Sequence, residues 1–300
     1  MSEPTGIITR FAPSPTGPLH LGHAYAALFA HDMARMLGGT FLVRVEDIDT
    51  GRCRPEFEDA IFEDLRWLGL KWEEPVLRQS TRMKAYGLTL QKLAGMDLVY
   101  PCFCTRKEIV AEIERAGHAP HAGEDGTDGP PYPGICRKYN KADRRELFEA
   151  NSPYVLRLDL LKAMVRAEQE NADRPLSWLD TEAGEVACDP SSLGDVVLAR
   201  KDTPTSYHLS VVVDDAFQDV NLVTRGRDLF TATHVHRLLY ALLGLPVPRW
   251  HHHRLMLDET GKRLAKRDEA HALAKLRADG ASPEEVRAMT GIDKTLKYFR

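Results

Sequence analysis

Three hundred residues, 43% of them apolar, predict a packed core in about two domains, or in one domain with an insertion. No run approaches the ~20 apolar residues of a membrane span, and the opening MSEPTG lacks the basic and apolar regions of a secretory signal. A net charge of −4 argues against a generally basic nucleic-acid binder, and five cysteines without framework spacing argue for reduced cytoplasmic thiols or a metal site.

The first predicted element is a strand over 7–9. Residues 10–23, RFAPSPTGPLHLGH, follow, and then an apolar, helix-like run over 24–37 closed by Gly38 and Gly39. Pro13, Pro15, Pro18 and Gly17 make the intervening stretch an irregular turn. A strand-to-helix turn is where open α/β sheets hold their ligands. The helix start offers N–H groups suited to phosphate, His20 and His23 add donors, and Gly22 allows close approach to the backbone. Residues 40–46 read as the next strand of a parallel βαβ unit. A carboxylate at its tip, Glu46, can hold an ammonium group. Helices are predicted over 55–68, with Pro55 near the start and Gly69 past the end, and over 80–93.

Near residue 100 the pattern changes. Cys102 and Cys104 precede a helix-like run over 105–115, and a Gly-, Pro- and Asp-rich stretch over 117–134 leads to Cys136. Cys-x-Cys facing Tyr-x-x-x-Cys looks like a metal clip, and thiolates favour tetrahedral zinc. Three thiols need a fourth ligand, with His118, His121 and Tyr132 as candidates and histidine the chemically commoner choice. Cys53 and Cys188 read as apolar fillers. Two basic clusters are where a phosphate backbone would bind: Arg137, Lys138, Lys141, Arg144 and Arg145, and residues 261–300, with ten Lys/Arg against six Asp/Glu.

Short strands are expected over 154–158 and 177–180, and the sheet resumes at 195–200. The apolar runs 209–213 and 220–223 read as buried parallel strands, with Tyr207 before the first and Arg225 after the second. An arginine at a strand tip suits a bidentate carboxylate pair. Asp228 is predicted to cap a helix over 231–243 ended by Gly244. His251, His252 and His253 read as packing residues, because neighbours on a strand point to opposite faces. Residues 255–257 read as a strand that enters, through Gly261, the basic run KRLAKR. Ser282, Pro283 and Glu285 form the capping box of a helix that Gly291 ends.

The stretch 10–23 closely resembles the first signature of the class I aminoacyl-tRNA synthetases in its glutamyl/glutaminyl form. RVEDIDT at 44–50, PTSYH at 204–208, VVVDD at 211–215, VTRGRD at 223–228 and KRLAKR at 262–267 extend the resemblance over nearly the whole chain. It implies a Rossmann-type α/β parallel-sheet core with a zinc-bearing α/β insertion and a short C-terminal extension. Residues 1–98 and 191–250 would be the two halves of the catalytic domain, and 99–190 the insertion that grips tRNA. Residues 251–300 would hold the second signature and a helical tail. Residue by residue, the resemblance places His20, Gly22, His23 and Lys266 at ATP, with His20, His23 and Lys266 catalytic. It places Arg10, Phe11, Ala12, Pro13, Ser14, Glu46, Tyr207 and Arg225 around L-glutamate, and implies Mg2+ with ATP.

In the glutamyl-Q branch of this family Tyr132 would complete one structural Zn2+ site with Cys102, Cys104 and Cys136, leaving His121 as the fallback ligand. Arg263 and Ala265 depart from the family's K-L-S-K signature, while Lys266 keeps it. The sequence stops at Arg300, so the large helical anticodon-binding domain of the full synthetases is not expected. With the clip, this resembles the glutamyl-Q branch. That branch activates glutamate with ATP without tRNA and attaches it to the queuosine base in the anticodon of tRNA(Asp). A minimal synthetase charging the tRNA 3′ end and a non-catalytic RNA-binding paralogue are the alternatives. A small-molecule nucleotidyltransferase would share the H-x-G-H loop but not the clip or the Tyr207/Arg225 pair.

Overall fold

The computed structural model describes residues 6–115, 132–172, 174–201, 203–257 and 272–297. In chain order these form β1 (Ile8–Phe11), α1 (Leu21–Met36), β2 (Thr40–Val45), α2 (Pro55–Trp67), β3 (Glu73–Arg78), α3 (Met83–Gly95), β4 (Val99–Cys102) and α4 (Arg106–Arg115). Then come α5 (Lys141–Glu149), β5 (Val155–Leu158), α6 (Leu160–Glu170), β6 (Ser177–Asp180), β7 (Gly184–Ala187), β8 (Val197–Arg200) and α7 (Tyr207–Phe217). The last are β9 (Leu222–Gly226), α8 (Ala232–Leu243), β10 (Arg249–His253), α9 (Leu273–Ala278), α10 (Pro283–Thr290) and α11 (Ile292–Leu296).

Met1–Thr81, Gln218–Arg227 and Pro248–Arg300 make one compact unit. Here β1, β2 and β3 run parallel in that order, and β9 pairs in parallel with β10. Asn221, just before β9, joins the two groups. Its side-chain carbonyl accepts the Ile8 N–H at 2.8 Å, and its own N–H donates to the Ile8 carbonyl at 3.2 Å. The two ladders are separate, but with β9 lying beside β1 the strands follow the order 3-2-1-9-10, whose reversal at β1 is the ligand-binding switch point of a doubly wound arrangement. The Rossmann-type parallel sheet expected from the sequence is therefore present. Helix α1 covers one face, where Phe11, Phe41 and Val43 meet Leu28, Phe29 and Ala30. Ala24, Ala27, Ala30 and Ala34, all buried, let the helix approach closely. At the α1–β2 turn only glycine fits position 39, because a Cβ there would lie 2.0 Å from the Ile7 carbonyl oxygen. Arg287 of α10 ties to α1 through Asp32 at 2.5 Å.

Arg82–Phe217 and Asp228–Val247 make the other unit. It holds an antiparallel sheet, β4–β5–β8, and the β6–β7 hairpin. Two buried carboxylates organise it. Asp214 of α7 accepts from Arg82 Nε at 2.9 Å and from the Tyr86 hydroxyl at 2.6 Å. Asp195 accepts from Arg137 Nη2 at 2.6 Å, from the Leu160 N–H at 3.0 Å and from the Tyr100 hydroxyl.

The structure corrects several expectations. The run 209–213 is not a strand but the middle of α7. Three consecutive valines favour β-structure by propensity, yet here they are buried on a helix anchored by Asp214. The expected strand over 255–257 is not formed: 255 and 256 are irregular chain, and only Leu257 makes an isolated β-bridge. Asp228 lies in a 3-10 turn, and Thr231 takes the cap position of α8 without a side-chain capping bond. Arg225 sits inside β9 rather than after it. Helix α3 begins at Met83, after a 3-10 turn over Gln79–Arg82. The capping box at Ser282, with Pro283 first in α10 and left-handed Gly291 past its end, is present as read.

Candidate active site

At the start of α1 the two histidines cap the helix together. His20 is the N-cap, and its Nδ1 accepts the Gly22 N–H at 3.1 Å. The His23 Nδ1 accepts the His20 N–H at 3.2 Å. The rings lie 3.9 Å apart, centroid to centroid. This is a capping box built from imidazoles rather than from Ser and Glu. Because both Nδ1 atoms accept, the neutral rings carry their protons on Nε2, as donors. Gly22 serves this arrangement directly, since a Cβ there would sit 2.9 Å from the His20 ring. The loop before it is stitched to the next strand: Pro13 O accepts the Glu46 N–H, and Pro15 O accepts the Arg54 N–H, each at 3.0 Å.

Pleating sorts the sheet residues. Thr9 donates to the Ala30 carbonyl of α1 at 2.8 Å, so Arg10, its neighbour, points to the opposite face. There Arg10 Nη1 donates to the Thr224 carbonyl at 3.1 Å. Arg44 of β2 shares that face, fully buried, with Gln218 Oε1 at 3.0 Å and a Glu46 carboxylate oxygen at 3.7 Å. Arg225 lies there too, buried, donating through Nε to His252 Nε2 at 3.1 Å. Three guanidinium groups and one carboxylate are thus gathered on the face away from α1, in an interior where charge interactions are strong. Phe11 and Pro13 are buried, and Ala12 and Ser14 are partly so, in the loop that leaves β1.

Tyr207 begins α7 in the second unit, its ring edge-on to His236 at 5.5 Å. Lys266, Arg263 and Ala265 lie outside the described residues, as do His118 and His121. The flanks of that basic run are described. Ala272 forms a β-bridge with His20, and the Leu273 N–H donates to the Leu19 carbonyl at 2.8 Å. On the other side, Met256 lies against the Gly22 position.

In the second unit β4 delivers Cys102, and a short 3-10 turn, Ile135–Lys138, delivers Cys136. The sulfurs of Cys102, Cys104 and Cys136 lie within 4.8 Å of one another. A tetrahedral zinc with Zn–S bonds of ~2.3 Å would hold such sulfurs ~3.7 Å apart, so the donor set fits a metal ion. The Tyr132 hydroxyl is 3.5 Å from Cys104 Sγ and accepts the Cys136 N–H at 2.8 Å. Hydrogen bonding from the Cys136 thiol, helped by Arg157, holds the Cys102 thiol well below its usual range. Cys188 is different: burial pushes it up to about 11, and it donates to the His234 carbonyl at 3.2 Å. The basic cluster is thinner than its sequence suggests. Arg137 is taken by Asp195, and Arg144 stands over the Tyr100 ring at 5.9 Å. Lys138, Lys141 and Arg145 are exposed.

Sequence reasoning missed Arg44 and His252. The alternation Phe41, Val43, Val45 against Arg44, Glu46 was the available signal for the first. All three histidines of β10 are buried, as the packing reading expects: His251 and His253 meet Phe29 and Tyr25, and His252 meets Arg225.

Comparison with known proteins gives a consistent picture. The profile of the class I tRNA synthetases (E and Q), catalytic domain, matches residues 6–292. A glutamyl-Q tRNA(Asp) synthetase of Rhodobacter capsulatus is 50% identical, over 95% of this chain and 100% of its own length. One from Symbiobacterium thermophilum is 41% identical over 92% of this chain and 83% of its own. A glutamate–tRNA ligase of Aquifex aeolicus is 36% identical over 93% of this chain but only 55% of its own length. Among solved structures, a glutamate tRNA ligase from Elizabethkingia meningosepticum, in complex with its amino acid, superposes with a TM-score of 0.69 at 31% identity. It covers 87% of this chain and 52% of that one. A methionyl-tRNA synthetase of Mycobacterium tuberculosis, 10% identical with a TM-score of 0.55, shares the fold.

Proposed function

The chain belongs to the class I tRNA synthetases of the glutamate and glutamine type, and from that membership we propose that it activates L-glutamate with ATP, without tRNA, and transfers the glutamyl group to the queuosine base in the anticodon of tRNA(Asp). It is a ligase of the aminoacyl-tRNA synthetase type. The observation that carries the reading is the sheet face of Arg10, Arg44, Glu46 and Arg225, stitched through Pro13 and Glu46 to the His20–His23 turn. A buried site rich in guanidinium suits a dicarboxylic amino acid, and one carboxylate suits its ammonium group. Relatives matched over most of their length carry the glutamyl-Q name, which favours queuosine over the 3′ end as acceptor.

The first step joins a glutamate α-carboxylate oxygen to the α-phosphorus of ATP. The bond from that phosphorus to the bridging oxygen breaks, and pyrophosphate leaves. Catalysis is mostly positioning and charge stabilisation. Nε2–H of His20 and of His23 meet the growing phosphate charge, joined by Lys266, whose flanking residues Met256 and Ala272 support this placement. Mg2+ accompanies ATP as its counterion. Arg10, Phe11, Ala12, Pro13, Ser14, Glu46 and Arg225 hold glutamate, with Arg225 on the side-chain carboxylate. Tyr207 is carried into this set by the family resemblance alone. In the second step a hydroxyl of the modified base attacks the glutamyl carbonyl carbon. An ester forms, AMP leaves, and the hydroxyl proton is released.

Residues 99–190 are assigned to tRNA. One structural Zn2+ held by Cys102, Cys104, Cys136 and Tyr132, with His121 as the alternative ligand, would tie β4 to the 3-10 turn that carries Cys136. The proposed substrates, and cysteines without the spacing of a disulfide framework, favour a cytoplasmic reaction.

ATP–pyrophosphate exchange in the absence of RNA tests the activation step. Exchange with L-glutamate, and about 10³-fold less with glutamine, is expected, because an uncharged amide leaves a buried arginine without its carboxylate. Exchange that glutamine supports equally well would contradict the assignment of Arg225.

A further inference from the structure

Strand β10 carries three consecutive histidines, each 5% exposed or less. Alternation sends them to opposite faces. His251 stacks on Phe29 with centroids 4.5 Å apart, and His253 meets Tyr25 edge-on at 5.0 Å, so both pack against α1. His252 faces the other way. In the β9–β10 register it stands beside Arg225, whose Nε–H donates to His252 Nε2 at 3.1 Å. A nitrogen that accepts carries no proton, so the neutral ring bears its proton on Nδ1. The bond engages the Nε edge of the guanidinium fork. It also fixes the plane of that fork, and a misaligned fork cannot make two parallel bonds.

We propose that His252 is a positioning residue for glutamate recognition, holding the guanidinium plane of Arg225 so that its terminal nitrogens meet a substrate carboxylate end-on. This rests on the reading that Arg225 binds glutamate. A histidine that only fills space on this face would be replaceable by any side chain of similar volume. A histidine that positions Arg225 is replaceable only by one that keeps an acceptor near Nε2.

The test is ATP–pyrophosphate exchange on the full chain, with KM for glutamate and for ATP measured separately, in wild type, His252→Gln, His252→Met and Arg225→Ala. Gln and Met have nearly the same shape, but only Gln ends in a strong acceptor. His252→Met is expected to raise KM for glutamate about tenfold to hundredfold, the scale of one hydrogen bond to a charged group, with KM for ATP little changed. His252→Gln is expected to recover most of that loss. Equal glutamate KM in the two variants, or glutamate and ATP values rising together, overturns the proposal. Arg225→Ala with an unchanged glutamate KM would instead sink the reading of Arg225. A large Arg225→Ala effect beside a silent His252→Met would sink only the positioning role. Should neither His252 variant fold, nitrogen NMR of the wild type decides. An unprotonated His252 Nε2 coupled through the hydrogen bond to Arg225 Nε is expected, and a protonated Nε2 contradicts it.

Discussion

His20 has two jobs that can be separated. Its Nδ1 caps α1 through the Gly22 N–H, and its Nε2–H is the donor assigned to ATP. Asparagine can keep the first job and cannot do the second, because asparagine is a good N-cap with nothing at the Nε2 position. His20→Asn is expected to lower glutamate-dependent exchange by about 10²–10³ while leaving the melting temperature near wild type. His20→Ala should lose the same rate and also about 1 kcal/mol of stability. Wild-type exchange in His20→Asn would reduce His20 to a cap. At this scale much was legible in the sequence. The spacing of His20, Gly22 and His23 after a Pro-rich turn pointed to a phosphate site. The imidazole capping box was not legible, because nothing in the letters says that the two Nδ1 atoms turn back onto the backbone. Arg44 and His252 were hidden for another reason. Arg44 sits in an apolar strand and His252 in a run of three histidines, and the direction of each is known only once the register with β1 or β9 is fixed.

Asp64 of α2 gives a stability test at the level of elements. It is buried beside Arg277 of α9, with the nearest oxygen 3.5 Å from the guanidinium. Burial pushes its carboxyl up to about 6, Arg277 only partly opposing it. The folded state thus prefers the protonated acid. Stability from this group is greatest below its unfolded pKa, near 4, and falls as pH rises through about 6. Asp64→Asn is expected to be roughly 1–3 kcal/mol more stable than wild type at pH 8, the gain fading as pH falls towards 4. Chemical denaturation across that range measures it, and a destabilised variant at pH 8 would contradict the account.

The clip gives a second test among the elements. Cys102→Ser with Cys104→Ser should abolish metal binding and lower the unfolding temperature of the β4–β5–β8 sheet, since Cys102 ends β4. Wild-type protein without bound zinc by elemental analysis would remove the clip from the account. Element type was legible where periodicity and caps agreed, as in α2 and α10. It failed at 209–213, where a short apolar run fits a strand or a buried helix equally well and only the partners of Asp214 decide.

For the whole molecule, the parallel sheet of the first unit is assembled from three separate stretches of chain, and the second unit from two. A sequence shows such interleaving poorly, because the joins at 81, 217, 227 and 247 carry no composition change; the two family signatures, far apart in the chain, made the core recognisable instead. The chain spans the whole of the Rhodobacter relative and about half of the Aquifex glutamate–tRNA ligase. The proposed reading and its alternative, charging of the tRNA 3′ end, differ in where the glutamyl group goes. The most direct measurement is therefore nuclease mapping of tRNA(Asp) charged by this protein with labelled glutamate and ATP. Label confined to the anticodon fragment, and none accepted by transcript lacking queuosine, is the expected result. Label on the terminal adenosine, or acceptance by the unmodified transcript, would contradict it.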